Sequence, residues 1–148
     1  MQTVETKNAP AAIGPYSQAK IAGGLVFASG QIPVNPASGN IEATDIAAQT
    51  EQVCKNVKAL LEAAGSSTDK VIKTVCFLAD IKDFAAFNAV YEKYFTSRPA
   101  RSCVAVKDIP KGALVEIECI AELEKDIFKY RPRHYISRGR YFFTYSFI

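Results

Sequence analysis

The chain has 148 residues, 49% of them hydrophobic and 22% charged, a length that buries a core without disulfides or metal and reads as one folded domain. No apolar run approaches the ~18 residues of a membrane span, and Met1-Gln2-Thr3-Val4-Glu5 carries no charged-then-apolar leader pattern, so secretion and membrane insertion are not expected. The formal charge of +3 is uneven: taking the five bases (Lys129, Arg131, Arg133, Arg138, Arg140) and one acid (Asp126) of residues 126–148 from the totals of 18 and 15 leaves a body with 13 bases against 14 acids, which is no footprint for nucleic acid.

Taken in order, Ser17 to Ala22 and Leu25 to Ser29 are short strand-like runs joined by Gly23-Gly24, a pair suited to a tight hairpin turn. Residues 31–44 hold two prolines and Ser-Gly-Asn turn chemistry and read as a loop. From Asp45 to Ala64, Ile46, Val53, Val57, Leu60, Leu61 and Ala64 recur at helical spacing. Thr44 or Asp45 is available as N-cap, and Gly65 stands just past the end. Val71 to Leu78 is a nearly continuous apolar and β-branched run, as expected of a strand inside a sheet. Asp83 to Phe95 aligns Phe84, Phe87, Tyr91 and Tyr94 or Phe95 along one helical stripe that suits packing on a sheet. Residues 101–106 and 114–123 are the last two strands, joined by a turn containing Asp108, Pro110, Lys111 and Gly112.

The order ββ-α-β-α-ββ predicts an α+β two-layer sandwich, a mixed sheet with two helices on one face. In the last strand Val115, Ile117, Cys119, Ala121 and Leu123 form an apolar side for the helices. The alternate side mixes Glu116, Glu118 and Glu122 with Leu114 and Ile120, a composition that suits a subunit interface and predicts an oligomer. The four cysteines (Cys54, Cys76, Cys103, Cys119) form no Cys-x-x-Cys pair and lie in apolar stretches, as in a cytoplasmic protein with reduced thiols.

One residue interrupts this pattern. Arg101 puts a permanently charged planar fork at the mouth of an apolar strand, in the run Arg98-Pro99-Ala100-Arg101-Ser102-Cys103-Val104. Taken alone, that arginine fits either an ion pair within the chain or an anionic ligand.

Several separated motifs narrow the choice. Asn8-Ala9-Pro10-Ala11-Ala12-Ile13-Gly14-Pro15-Tyr16-Ser17-Gln18, Ala28-Ser29-Gly30-Gln31-Ile32-Pro33, Pro99 to Val104, and Val115-Glu116-Ile117-Glu118 together resemble the Rid family, also called YjgF. The likeness runs from about residue 3 to about residue 124, which sets a family domain over 1–125 apart from a basic, aromatic extension over 126–148. It implies a chorismate-mutase-like fold, mostly antiparallel, assembled as a homotrimer with one site in each cleft between neighbouring chains.

The activity implied is hydrolytic deamination of 2-imino and enamine acids, chiefly 2-aminoacrylate and its imine, to 2-keto acids and ammonia, protecting pyridoxal-phosphate enzymes. Carried over by position, Arg101 grips the substrate carboxylate and the backbone of Cys103 contacts substrate nitrogen or carboxylate. Glu116 holds the attacking water, Tyr16 lines the pocket, Ser29 and Gly30 form its wall, and Asn88 is a further lining residue. No metal or organic cofactor is implied. Burial should raise the pKa of Glu116 and proximity to Arg101 should lower it. Members of this family are also described as RNA-cleaving translation inhibitors and as chaperones, an alternative that would draw on the basic extension. Neither nucleic acid nor membrane is the expected partner.

Overall fold

The structure is a computed structural model that describes residues 1–124; the extension over 126–148 lies outside the described residues. A short strand absent from the sequence-based order, β1 (Gln2–Val4), comes first and pairs antiparallel with β2 (Ala19–Ala22). Three residues carry too little pattern to be told from a loop; this strand exists because β2 offers it a free edge. β2 and β3 (Leu25–Gln31) form the expected hairpin, with Gly23 and Gly24 at φ 58° and 78°, both in the left-handed region that a tight hairpin turn demands.

β3 runs two residues further than its pattern predicts, through Ser29-Gly30 to Gln31, because it pairs with the last strand, β6 (Val115–Glu122), across an irregularity. Ala28 stands opposite Cys119 and Gln31 opposite Ile117, so β3 spends three steps where β6 spends two. The extra residue is a β-bulge. Beyond it the inward and outward phases of β3 are exchanged, and Gln31 is buried where strict alternation would have turned it out.

Helix α1 (Ile46–Ala63) begins where predicted. The Asp45 side chain accepts the Ala48 N–H at 2.9 Å, and Val53, Cys54, Val57, Leu60 and Leu61 form its buried stripe. Its polar residues are used as well. Asn56, fully buried, donates to the carbonyls of Ile32 (3.0 Å) and Val34 (2.9 Å), and Gln49 donates to Ala43 O while accepting from Leu114 N. These amides tie the proline-rich loop over 31–44 to the helix, so that loop has an anchor although it lacks repetitive structure.

β4 (Val71–Leu78) follows, then α2 (Phe84–Tyr94) and β5 (Ala100–Ala105). The passage through α2 gives the sheet its one parallel pair, β4–β5; all other neighbours are antiparallel, in the order β1-β2-β3-β6-β4-β5. The fold is therefore α+β, a mixed sheet with two helices. Both helices lie on one side, where Phe87, Tyr91 and Phe95 join the α1 stripe and Val115, Ile117, Cys119 and Ala121 in a single core. On the other side Phe27 is 42% and Val104 48% exposed, and a trough of about 510 Å³ runs over Phe27, Val75 and Ile120 between Lys20, Lys73 and Glu118.

Candidate functional site

β5 is an edge strand, and its alternation decides where Arg101 points. Arg101 and Cys103 stand in register with Thr74 and Cys76 of β4, both buried against the helices, so they share the helix side; Ser102 and Val104 face the open side. There the Arg101 Nη1 donates to Asn88 Oδ1 at 2.8 Å. Its guanidinium carbon lies 4.7 Å from the Tyr91 ring centre, 5.5 Å from Phe84 and 5.8 Å from Phe87. Tyr91 is held in turn by a 2.7 Å hydrogen bond with the Thr74 hydroxyl, and burial pushes its phenol up to about 12, so it is neutral.

Among the described residues the ion pairs are Lys55–Glu51, Lys58–Glu62 and Lys82–Asp80, and none includes Arg101. The described side chains set against the cation, Asn88, Phe84, Phe87 and Tyr91, are uncharged. Burial also raises the Cys103 thiol, with Arg101 working against that rise, so Cys103 stands there as a neutral thiol packed against the core.

Glu116 lies on the other side of the sheet. It stands opposite Phe77 on β4, facing away from the helices, and its carboxylate folds over the bulge in β3. A Cβ added to Gly30 would collide with Glu116 Oε1 and fall 2.8 Å from Cδ, so the absence of a side chain at residue 30 is what makes room for the acid. Burial first, and the like charge of Glu118 second, hold the Glu116 carboxyl above the ordinary carboxylate range. Of the two opposing influences anticipated for it, only the raising one acts within a single chain, because Arg101 is across the sheet. Ser29, beside Gly30, donates its hydroxyl to Ser17 O at 2.7 Å.

Tyr16 is 50% exposed and lines a cavity of about 210 Å³ with Ile13, Gly30, Gln31, Ile32 and Lys111. The turn over 13–16 is closed by Tyr16 N donating to Gly14 O at 2.8 Å and by the Tyr16 hydroxyl accepting from Ile13 N at 3.3 Å. The segment leading into it has no strand partner of its own. Gln18, buried, replaces one: its amide accepts from Thr6 N (2.7 Å) and donates to Thr6 O (3.0 Å) and Pro10 O (2.7 Å). Sequence reasoning passed over Gln18, Gln49 and Asn56. The available signal was an amide side chain set beside proline-rich backbone that has no ladder to join.

The residues named from sequence thus form two groups. Arg101, Asn88 and Cys103 gather on the helix side of β5; Glu116, Gly30, Ser29 and Tyr16 gather around the bulge, reached from the open side. One group offers a cation with no ion-pair partner among the described residues, and the other a carboxyl held above the ordinary carboxylate range. A single chain does not bring the two together.

A family model described as Endoribonuclease L-PSP matches residues 6–123. The chain is 55% identical over 125 residues to a Lactococcus lactis protein described as a proposed regulator, AldR, covering 84% of this chain and 99% of that one. It is 51% identical over 124 residues to the 2-iminobutanoate/2-iminopropanoate deaminase of Escherichia coli, covering 81% and 96%. Among solved structures it matches Escherichia coli TdcF with bound serine at a TM-score of 0.79 and 44% identity, covering 82% and 98%.

Proposed function

The chain belongs to the family of the L-PSP endoribonuclease model, which is the Rid or YjgF family, and from that premise we propose that it is a homotrimeric, cytoplasmic hydrolase of 2-imino and enamine acids. Its substrates are 2-aminoacrylate and the corresponding imines, and its products are 2-keto acids and ammonia. The observation that carries the reading is the Arg101 guanidinium, held at a free sheet edge by neutral groups and left with its charge to be met by a ligand. An α-carboxylate fits that fork at two points. A relative of the same fold solved with bound serine supports a small ligand of this kind.

Assembly supplies the missing proximity. Copies that meet on the open side bury the trough over Phe27, Val75 and Ile120, and bring the Arg101 group of one to the Glu116 group of the next. In the shared crevice Arg101 fixes the carboxylate, the β5 backbone at Cys103 meets the imine nitrogen or the carboxylate, and Tyr16, Ser29 and Gly30 form the wall. Glu116 orients a water and takes its proton as the oxygen attacks the imine carbon. That proton passes to nitrogen and leaves a carbinolamine; the carboxylate then takes the hydroxyl proton and hands it to nitrogen as well, so the carbon–nitrogen bond breaks with ammonia departing and the oxygen lone pair closing the carbonyl. An imine carbon is already electrophilic, so orientation and one general base suffice, a base of this type contributing ~10² to 10⁴ in rate.

Endoribonuclease is the description of the family model, and an RNA-directed role would draw on the basic residues of 126–148, which lie outside the described residues. The near-neutral body favours the small acid. The test couples amino-acid oxidases, which release a panel of imino acids, to detection of their breakdown. Wild type accelerates the decay, and Arg101→Ala removes the acceleration while the mass in solution stays that of a trimer. Equal rates for the two proteins, or a panel that wild type leaves untouched, would sink the proposal.

A further inference from the structure

The environment of Arg101 contains more than a lone binding group. A guanidinium set against protein usually finds a carboxylate, because leaving a partly desolvated charge unmatched is costly. Here the surroundings are a neutral amide, three aromatic rings and a neutral thiol. All three rings and the amide come from one helix: Phe84, Phe87, Asn88 and Tyr91 lie at successive steps of three, one and three along the inward stripe of α2. The rings present their negative faces to the cation and restrict where it travels. They do not restrict its rotation in the plane of the fork. The 2.8 Å bond from Nη1 to Asn88 Oδ1 does, since it engages one corner of the guanidinium, and among the described residues no other hydrogen bond takes up the remaining side-chain donors.

We infer that Asn88 is a positioning residue acting through Arg101, and that its lack of charge, on the aromatic platform of Phe84, Phe87 and Tyr91, makes the site select substrates bearing an α-carboxylate. An aspartate at 88 would make the same hydrogen bond and hold the guanidinium in the same place. It would also satisfy the charge from within, so an incoming carboxylate would meet an occupied cation. This inference rests on the deaminase reading and refines Asn88 from a pocket-lining residue to an orienting one.

Asn88→Asp and Asn88→Ala separate the charge from the contact. Loss of a hydrogen bond to a charged group is worth ~10-fold or more, so Asn88→Ala is expected to raise KM by ~10-fold. Asn88→Asp, isosteric and able to form an ion pair, is expected to raise KM further, by ~100-fold, with a Tm no lower than wild type. Phe84→Leu, at a residue 38% exposed, is expected to raise KM by ~3-fold through loss of one ring face. A merely structural Asn88 would reverse the first two, Asp being the milder change in both Tm and KM. That reversal, or wild-type KM in Asn88→Asp, would overturn the inference.

Calorimetric titration with 2-oxobutanoate and with its uncharged amide reads the same clamp without turnover. Wild type should bind the acid in preference to the amide and Asn88→Asp should lose that preference. Preference retained by wild type in the absence of any imine hydrolysis would defeat the deaminase reading alone. No preference in wild type would defeat both.

Discussion

On the helix side of β5, Arg101 is held by its own chain, with an amide at 2.8 Å and three rings within 6 Å, yet no ion pair among the described residues includes it. On the open side of β6, Glu116 folds over a glycine, where burial and the like charge of Glu118 hold its proton more firmly than in water, and no ion pair among the described residues includes it. Each region lacks what the other has. A cation that is immobile before substrate arrives spends little entropy in gripping it, and a carboxyl raised by burial becomes a better proton acceptor once it ionises. The contrast fits the proposed site, in which one copy supplies the cation and the next supplies the carboxyl.

The most damaging test of this division takes one residue from each side. Glu116→Gln alone is expected to lower the rate by ~10² to 10⁴, the range for a lost general base, and Arg101→Ala alone to abolish it. Unfolding and reassembling the two inactive proteins together should restore about a quarter of the activity, because random trimers place an intact Arg101 beside an intact Glu116 at one crevice in four. No recovery on mixing would show both groups acting within one chain, and the comparison would fail.

Gly30→Ala probes the open side more finely. Gly30 does not have a positive φ, so alanine strains no backbone there, and the atoms it meets belong to the mobile end of Glu116. The carboxylate should swing aside. Displacement of about 1 Å is enough to lose on the order of 10²-fold in rate, while thermal unfolding remains close to wild type. Activity preserved at full stability would mean that the seat over Gly30 is unimportant.

The smallest effects concern protons. If Glu116 works as a base, activity falls as pH drops through its raised pKa, and Glu118→Gln should move that acid limb to lower pH by removing the like charge. Stability should run the other way. The folded chain holds the Glu116 proton more tightly than the unfolded one, so wild type should lose stability relative to Glu116→Gln as pH rises from the ordinary carboxylate pKa to the raised one, and no further above it. Denaturation midpoints of the two proteins across that range check the sign.

Periodicity was enough to read α1, α2, β4 and the hairpin, because each rests on local chemistry: a capping aspartate, a stripe at helical spacing, a Gly-Gly turn. The apolar side of β6 was equally legible, since alternation with period two survives whatever the strand is paired with. The motifs around Tyr16, Ser29-Gly30, Arg101 and Glu116 marked these positions in advance without their relation in space. β1 escaped because three residues become a strand only when a partner edge is present, and the anchoring amides of Gln18 and Asn56 because their acceptors are 8 to 24 residues away.

What sequence alone determined is which residues carry charge and which faces are apolar, since side-chain chemistry and backbone period are local properties. What only the tertiary structure decided is the side of the sheet on which each charge stands. A single extra residue in β3 exchanges the phases of that strand and opens the seat for Glu116, and the parallel register of β5 turns Arg101 toward α2. Register and bulges follow from pairing between distant segments, where a shift of one residue carries a side chain to the opposite face, and no local pattern specifies that shift.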